Sequence, residues 1–201
     1  KEHKMDSEIY EHIEQIDAST NMIAHAYEDF SYLSSSRIIE YKPSNTSISK
    51  TLERRIRNFN IISKVHNKSI IDYIEENINY FINSVELERI IDNNISNAIK
   101  YSEENKAIKI NLYKKENTIV LEFESLGLAI KNKEKIFEKN YRENDSKRGL
   151  GLGLNIVKNI CVKYDILYDV SFEDGCNIFR YVLRPLNIPC QSNSDRRNPI
   201  T

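Results

Sequence analysis

Glycine is scarce in this 201-residue chain, with five in all, and proline contributes four. No uninterrupted apolar run approaches the ~18 residues that a membrane span requires. The charged, apolar and small-residue pattern of a secretory leader is also missing. The formal net charge is −1, so bulk electrostatics gives no case for nucleic acid or an anionic membrane surface. Cysteine is limited to Cys161, Cys176 and Cys190, an odd number without ligand spacing, which reads as free thiols in a reducing compartment. The histidines His3, His12, His25 and His66 are dispersed and form no metal cluster. What remains is 40% hydrophobic and 29% charged, the composition of a soluble globular protein with one good core and an appendage, or two small domains. The sequence opens at Lys1 and not at methionine, and is read as a portion of something longer.

Three of the few glycines fall in one run, Arg148-Gly149-Leu150-Gly151-Leu152-Gly153-Leu154, with Gly127 upstream. Glycine so concentrated, opening into a helical stretch from Asn155 to Lys163, points to a backbone that approaches a ligand closely. Free amides at a helix N-terminus bind anions, nucleotide phosphates above all. The alternative is a tight turn with leucines plugging a core. The run lacks a following Lys-Ser/Thr pair and no strand leads straight into it, so the usual nucleotide motifs do not apply.

From Asp6 to about Ser34 the chain lacks proline and glycine. Ile9, Ile16, Ile23 and Phe30 recur every seventh residue, and Met5, Ala26 and Leu33 share a second seam with His12 and Ser19. This predicts a long helix with one face made for other helices. At ~45 Å for about 30 residues it outruns a small domain, so an intermolecular bundle is the favoured reading. A short strand over Arg37–Tyr41, then a turn at Pro43-Ser44-Asn45, marks the expected domain boundary. A second helix is expected from Ser47 to about Lys64, with Ser47 or Ser49 as N-cap and Leu52, Ile56, Phe59 and Ile62 inward. Strand-like runs follow at Ser69–Glu75 and Asn79–Asn83. A third helix over Val85–Tyr101 turns Leu87, Ile90, Ile91, Ile95, Ala98 and Ile99 inward. Two alternating strands, Ala107–Tyr113 and Thr118–Ser125, form a hairpin. Residues 126–148 are too long for an ordinary connection and read as a functional lid. A helix over Gly151–Tyr164 and strands at Asp169–Glu173 and Asn177–Leu183 complete the domain. The tail beyond Pro185 reads as disordered. Strands and helices without regular alternation imply an α+β fold, a mixed sheet with helices on one face.

On the third helix Asn93, Asn97 and Lys100 stand at i, i+4 and i+7 and therefore share a face, while Asp92 and Asn94 point elsewhere. A solvated face is the plain alternative. As a site, one amide oxygen plus substrate phosphates would suffice for Mg2+, which keeps most of its waters. Lys100 supplies charge for a phosphate oxygen, and Tyr101 offers a flat surface to a base.

Glu86 to Ser102 (ELERIIDNNISNAIKYS) resembles the N box of sensor histidine kinases. Lys135 to Arg142 (KIFEKNYR) resembles their F box, Arg148 to Lys158 (RGLGLGLNIVK) their G2 box, and Ser171 to Phe179 (SFEDGCNIF) their closing hairpin. Order and spacing together cover about residues 47–184. The resemblance implies a two-layer α/β sandwich of the GHKL type that binds Mg-ATP beneath a mobile lid, here over residues 39–186. Residues 1–38 would be the second helix of a dimerising, histidine-bearing hairpin, and 187–201 a tail. By the same resemblance Asn97 is the Mg2+ ligand, Asn93 lies near the phosphates, Lys100 contacts phosphate, Tyr101 flanks the adenine with Ser125 in place of its usual acceptor, and Gly127, Ile130 and Arg148 are also ATP-binding. Gly149, Gly151, Leu152, Gly153 and Leu154 bring lid amides to the triphosphate, while Phe137 and Arg142 anchor and close the lid. The implied reaction transfers the γ-phosphoryl to a histidine, with a homodimer through the N-terminal helix, a response regulator receiver domain as partner, a cytoplasmic location and a membrane tether in the full-length protein.

Two departures from the family pattern bear on function. Where the family reads Asp-x-Gly-x-Gly, with the aspartate accepting from the adenine amino group, this chain has Ser125-Leu-Gly127-Leu-Ala129. Strand alternation puts Glu124 on the face opposite Ser125, and a neutral acceptor is about half as strong as a charged one. A loss of ~1–2 kcal/mol weakens ATP about five- to thirtyfold. Asn140 also replaces an aromatic residue in the F box. Second, His12 precedes Ile13 and His25 precedes Ala26, so neither forms the His-Glu or His-Asp pair of a phosphoacceptor, and the acceptor is expected upstream of Lys1. Competing readings are a degenerate dimeric signalling module and another GHKL-fold ATPase or serine kinase. Asn93, standing where gyrase-like enzymes carry a general-base glutamate, counts against the ATPase.

Overall fold

The computed structural model describes residues 20, 23–24, 27, 29–34, 40–143 and 151–184. In chain order these contain β1 (Ser44–Ser47), α1 (Ile48–Val65), β2 (Ser69–Ile74), β3 (Asn79–Ile82), α2 (Ser84–Tyr101), β4 (Ala107–Lys115), β5 (Thr118–Leu126), a 3-10 turn (Lys135–Phe137), α3 (Gly153–Lys163), β6 (Leu167–Glu173) and β7 (Cys176–Leu183). Five strands form a mixed sheet in the order β2-β4-β5-β7-β6, in which only the β2–β4 pair is parallel, and β1 pairs with β3 in a separate antiparallel ribbon. The expected α+β class and mixed sheet are therefore present.

Alternation along the strands separates the two faces of the sheet. Ile108, Ile110 and Leu112 on β4 stand beside Phe123 and Leu121 on β5 and Tyr181 on β7, all buried. Leu52, Ile56 and Phe59 of α1 and Leu87, Ile91, Ile95 and Ile99 of α2 belong to the same core, each such side chain contributing about 1.5–3 kcal/mol. The other face carries cross-strand ion pairs, Lys109–Glu124 and Arg180–Glu122, beside the exposed Ile71 and Tyr73.

Capping fixes where the helices start. Ser47 caps α1 by accepting from the Lys50 amide, while Ser49, the other candidate, is buried and bridges the Glu75 carbonyl and the Ile78 amide. Asn83 caps α2 through the Val85 and Glu86 amides. At the far end of α2, the buried Lys68 donates to the carbonyl and hydroxyl oxygens of Ser102 (2.6 and 2.8 Å), a cation where the helix dipole is negative.

The start of α2 is tied down by Glu86, only 1% exposed. Its carboxylate accepts from Tyr32 (2.9 Å), from Lys163 at the end of α3 (2.8 and 2.9 Å) and from Tyr164. A cavity of about 320 Å³ lined by Tyr32, Tyr41, Glu86 and Lys163 adjoins this cluster. Tyr32 lies in the helical residues 29–34.

Several expectations are corrected here. Residues 44–47 form a strand where Pro43-Ser44-Asn45 suggested a turn, because β3 supplies a partner distant in sequence. The described part of the segment read as a strand at 37–41 is irregular. Leu33, assigned to a bundle seam, packs against the core beside Tyr32. α3 begins at Gly153 and not at Gly151, since Gly151 has φ +67°, outside the right-handed helical region. Of the expected N-terminal helix, residues 20, 23–24, 27 and 29–34 are helical; the rest of it, His12, His25, Arg148, Gly149, Cys190 and the tail lie outside the described residues.

Candidate functional site

The four polar side chains on the middle of α2 have divided tasks. Asp92 receives a bidentate pair from Arg55 (2.6 and 2.7 Å). Asn94, 2% exposed, accepts from the Tyr181 hydroxyl (2.9 Å) and donates to the Ile90 carbonyl (2.7 Å). Both are structural. Asn93 and Asn97 occupy the other face: Asn93 donates to the Arg89 carbonyl (2.9 Å) with its amide oxygen beside Gly153 at the start of α3, and the Asn97 amide has no partner among the described residues. Lys100 continues that face, its Nζ 5.1 Å from the centre of the Tyr101 ring.

The start of α3 closes on this face. A Cβ added to Gly153 would stand 2.0 Å from Asn93 Oδ1 and 3.0 Å from its Cγ, so any side chain there must turn the Asn93 amide out of its present position. Gly151 answers a different need. Its φ is positive, its carbonyl accepts from the Asn140 amide (3.0 Å), and a Cβ there would press on Asn140 and Tyr141 at 3.1 Å. Asn140 is itself left-handed (φ +62°), a conformation that asparagine tolerates better than an aromatic does, which accounts for its place in KIFEKNYR. Among the described residues no side chain caps α3 at Leu152, and amides at such a helix start suit an anion. Leu152 packs against the core, and Leu154 is half-buried.

Strand ends make the floor. Ser125 is buried (9% exposed) and pairs across the sheet with Asn177. Glu124 points to the opposite face and binds Lys109 (2.8 Å), as the strand alternation predicts. Gly127 lies under Tyr101, its missing Cβ 3.2 Å from the Tyr101 carbonyl and 3.9 Å from Asn177 Nδ2. Asn177, which the sequence did not single out, holds the departing loop with both ends of its amide: Oδ1 accepts from Ile130 N (3.2 Å) and Nδ2 donates to the Leu128 carbonyl (2.9 Å). The SFEDGCNIF hairpin contained that signal, an amide residue facing inward beside Ser125. The loop is held further by Phe137, buried against Tyr168 and Phe179 with ring centres at 4.8 and 6.3 Å. Asn155 of α3 donates to the Phe137 carbonyl (3.2 Å), and Glu143 accepts from the Lys131 and Asn132 amides (3.1 and 2.6 Å). Tyr101 is 43% exposed. Burial raises its pKa, and the charge of Arg142 acts in the opposite sense, which puts Arg142 within electrostatic reach of the same ring. Asn93, Asn97, Lys100 and Tyr101 thus follow one side of α2, with Gly153 set against Asn93, Gly127 against the Tyr101 carbonyl and Arg142 within electrostatic reach of the Tyr101 ring.

Residues 82–184 match the family model described as histidine kinase-, DNA gyrase B-, and HSP90-like ATPase. The sensor histidine kinase HprS of Escherichia coli (strain K12) is 30% identical over 149 residues, covering 73% of this chain and 32% of HprS. The chain thus spans about a third of that relative's length. The Acinetobacter baumannii histidine kinase AdeS superimposes with a TM-score of 0.66 at 18% identity, over 87% of this chain and 84% of that one. ShkA, solved full-length in complex with AMPPNP, gives 0.63 at 19% identity over 72% of this chain and 31% of ShkA. The N-box face on α2, the mixed sheet beneath it and the family match converge: the chain belongs to the histidine kinase-, DNA gyrase B- and HSP90-like ATPase family, and its catalytic domain is homologous to those of sensor histidine kinases.

Proposed function

We propose that residues 39–186 are the ATP-binding catalytic domain of a sensor histidine kinase and that residues 1–38 contribute the second helix of its dimerising hairpin. The observation that carries this reading is the meeting of α2 and α3 at Asn93 and Gly153, which sets an uncommitted amide, Asn97, beside the uncapped start of a helix. Phosphate oxygens suit the first amides of α3 together with Lys100 and Arg142, and the family resemblance adds Arg148 and Gly149 to the ATP-binding residues. Tyr101, Ser125, Gly127 and Ile130 suit the base. The Asn97 amide oxygen fits Mg2+, a hard cation that takes oxygen donors and keeps several waters; when bound, the ion supplies positive charge against the phosphates. The bond from the γ-phosphorus to the bridging oxygen of ADP breaks as one to an imidazole nitrogen forms, and the residues of this chain position and neutralise charge.

The acceptor histidine lies upstream of Lys1 in this reading, and the product is relayed to a response regulator receiver domain. Homodimerisation through the N-terminal helix is supported by Ile23, Tyr27 and Phe30, 70%, 70% and 62% exposed at near-helical spacing. A membrane tether belongs to the rest of the full-length protein; among the described residues no helix is long and apolar enough to cross a membrane. Nucleic acid is not a partner in this reading. Calorimetric titration with Mg-ATP tests the site, with micromolar or weaker affinity expected because Ser125 offers no carboxylate. Label from γ-labelled ATP should reach a histidine only when upstream sequence is supplied; label on His12 or His25 would overturn the acceptor assignment.

A further inference from the structure

Resting on that reading of the site, we infer that the base pocket accepts 6-amino and 6-oxo purine triphosphates with little discrimination between them. Base identity at the purine 6-position is read by hydrogen-bond polarity: an amino group needs an acceptor, an oxo group needs a donor. A carboxylate is acceptor-only and selects the amino purine, whereas a hydroxyl presents one donor and two acceptor sites and rotates to suit. Ser125 is more than nine-tenths buried, faces inward at the end of β5, and its hydroxyl has no partner among the described residues.

No hydrogen bond among the described residues fixes its polarity. Glu124 is turned to the opposite face and held by Lys109. Glu122 is on that same far face with Arg180. The Asn177 amide oxygen accepts from the Ile130 amide and its nitrogen donates to the Leu128 carbonyl, and what each has left over, one acceptor position and one N–H, is of opposite polarity. Tyr101 offers a ring face, which contacts either purine equally. A site gains strong selectivity only when the wrong ligand leaves one of its buried polar groups unpaired. A freely rotating hydroxyl is left unpaired by neither.

Inosine triphosphate is the direct probe, since it differs from ATP by a 6-oxo group in place of the amino group, with the ring proton that accompanies it, and lacks the 2-amino group of guanine. Titrating the chain with each nucleotide in the presence of Mg2+ should give dissociation constants within tenfold of one another. Ser125→Ala should weaken both by a similar factor, about three- to tenfold, and Ser125→Asp should open a gap of more than tenfold in favour of ATP. ATP binding more than tenfold tighter than inosine triphosphate in the unaltered chain would overturn the inference and leave the nucleotide site standing. Binding of neither would remove the site itself.

Discussion

Gly153 and Asn93 occupy the same space, one by lacking a side chain and the other by filling the gap. With a Cβ at 2.0 Å from Asn93 Oδ1, Gly153→Ala must displace either the asparagine or the first turn of α3. ATP affinity should fall at least tenfold while the fold is retained. Because residues in contact do not act additively, Asn93→Ala combined with Gly153→Ala should lose much less than the sum of the two single changes. Full additivity by calorimetry would show that the two do not share this contact.

Asn97 and Asn94 are three residues apart and should behave oppositely. Asn97→Ala removes an amide with no described partner, so stability should stay within about 0.5 kcal/mol while Mg2+-dependent nucleotide binding disappears. Asn94→Ala leaves the buried Tyr181 hydroxyl without its acceptor and should cost about 1–3 kcal/mol. Denaturant melts with and without Mg-ATP separate the two cases.

The Glu86 cluster makes stability sensitive to alkali. Tyr32 and Tyr164 both hold their phenolic protons more tightly than free tyrosine, chiefly because burial disfavours the phenolate, with Glu86 adding to the effect. Above about pH 10 the unfolded chain releases these protons and the folded chain keeps them, so stability is full below that pH and declines above it. Tyr32→Phe with Tyr164→Phe should lower stability at neutral pH, since each deletes a donor to a buried carboxylate, and should flatten the decline measured between pH 9 and 11. An unchanged slope would show that these phenols do not set it.

Cys161 should be inert in the native protein. It is fully buried, and burial pushes its thiol up to about 12, so thiolate is scarce at pH 8. A disulfide reagent should modify Cys161 only at the rate of unfolding, and ATP should slow that modification further by favouring the folded state. Rapid labelling of Cys161 in the absence of denaturant would contradict its placement.

Much of this was legible in the residues. The period of Leu87, Ile91, Ile95 and Ile99 gave α2 and, by subtraction, its polar face. Strand alternation separated Glu124 from Ser125. The unreadable parts involve partners distant along the chain. Nothing near Ser44 announces β3, and the 59 residues between Asn93 and Gly153 hide the approach of one to the other. The glycine run read as one device for phosphate, and the fold adds local demands that the sequence does not announce, a left-handed bend at Gly151 and a close approach to Asn93 at Gly153. Asn177 went unnoticed because its one signal, an inward-facing amide in the SFEDGCNIF hairpin, gains meaning only once β7 is paired with β5 and sets it across from Ser125.

Helix α2 is fastened at both extremities, by Glu86 with its three donors at one and by Lys68 gripping Ser102 at the other. In the proposed site that helix is the fixed reference, against which Gly153 at the start of α3 is set on Asn93 and the loop after β5 is clasped by Asn177 on Ile130.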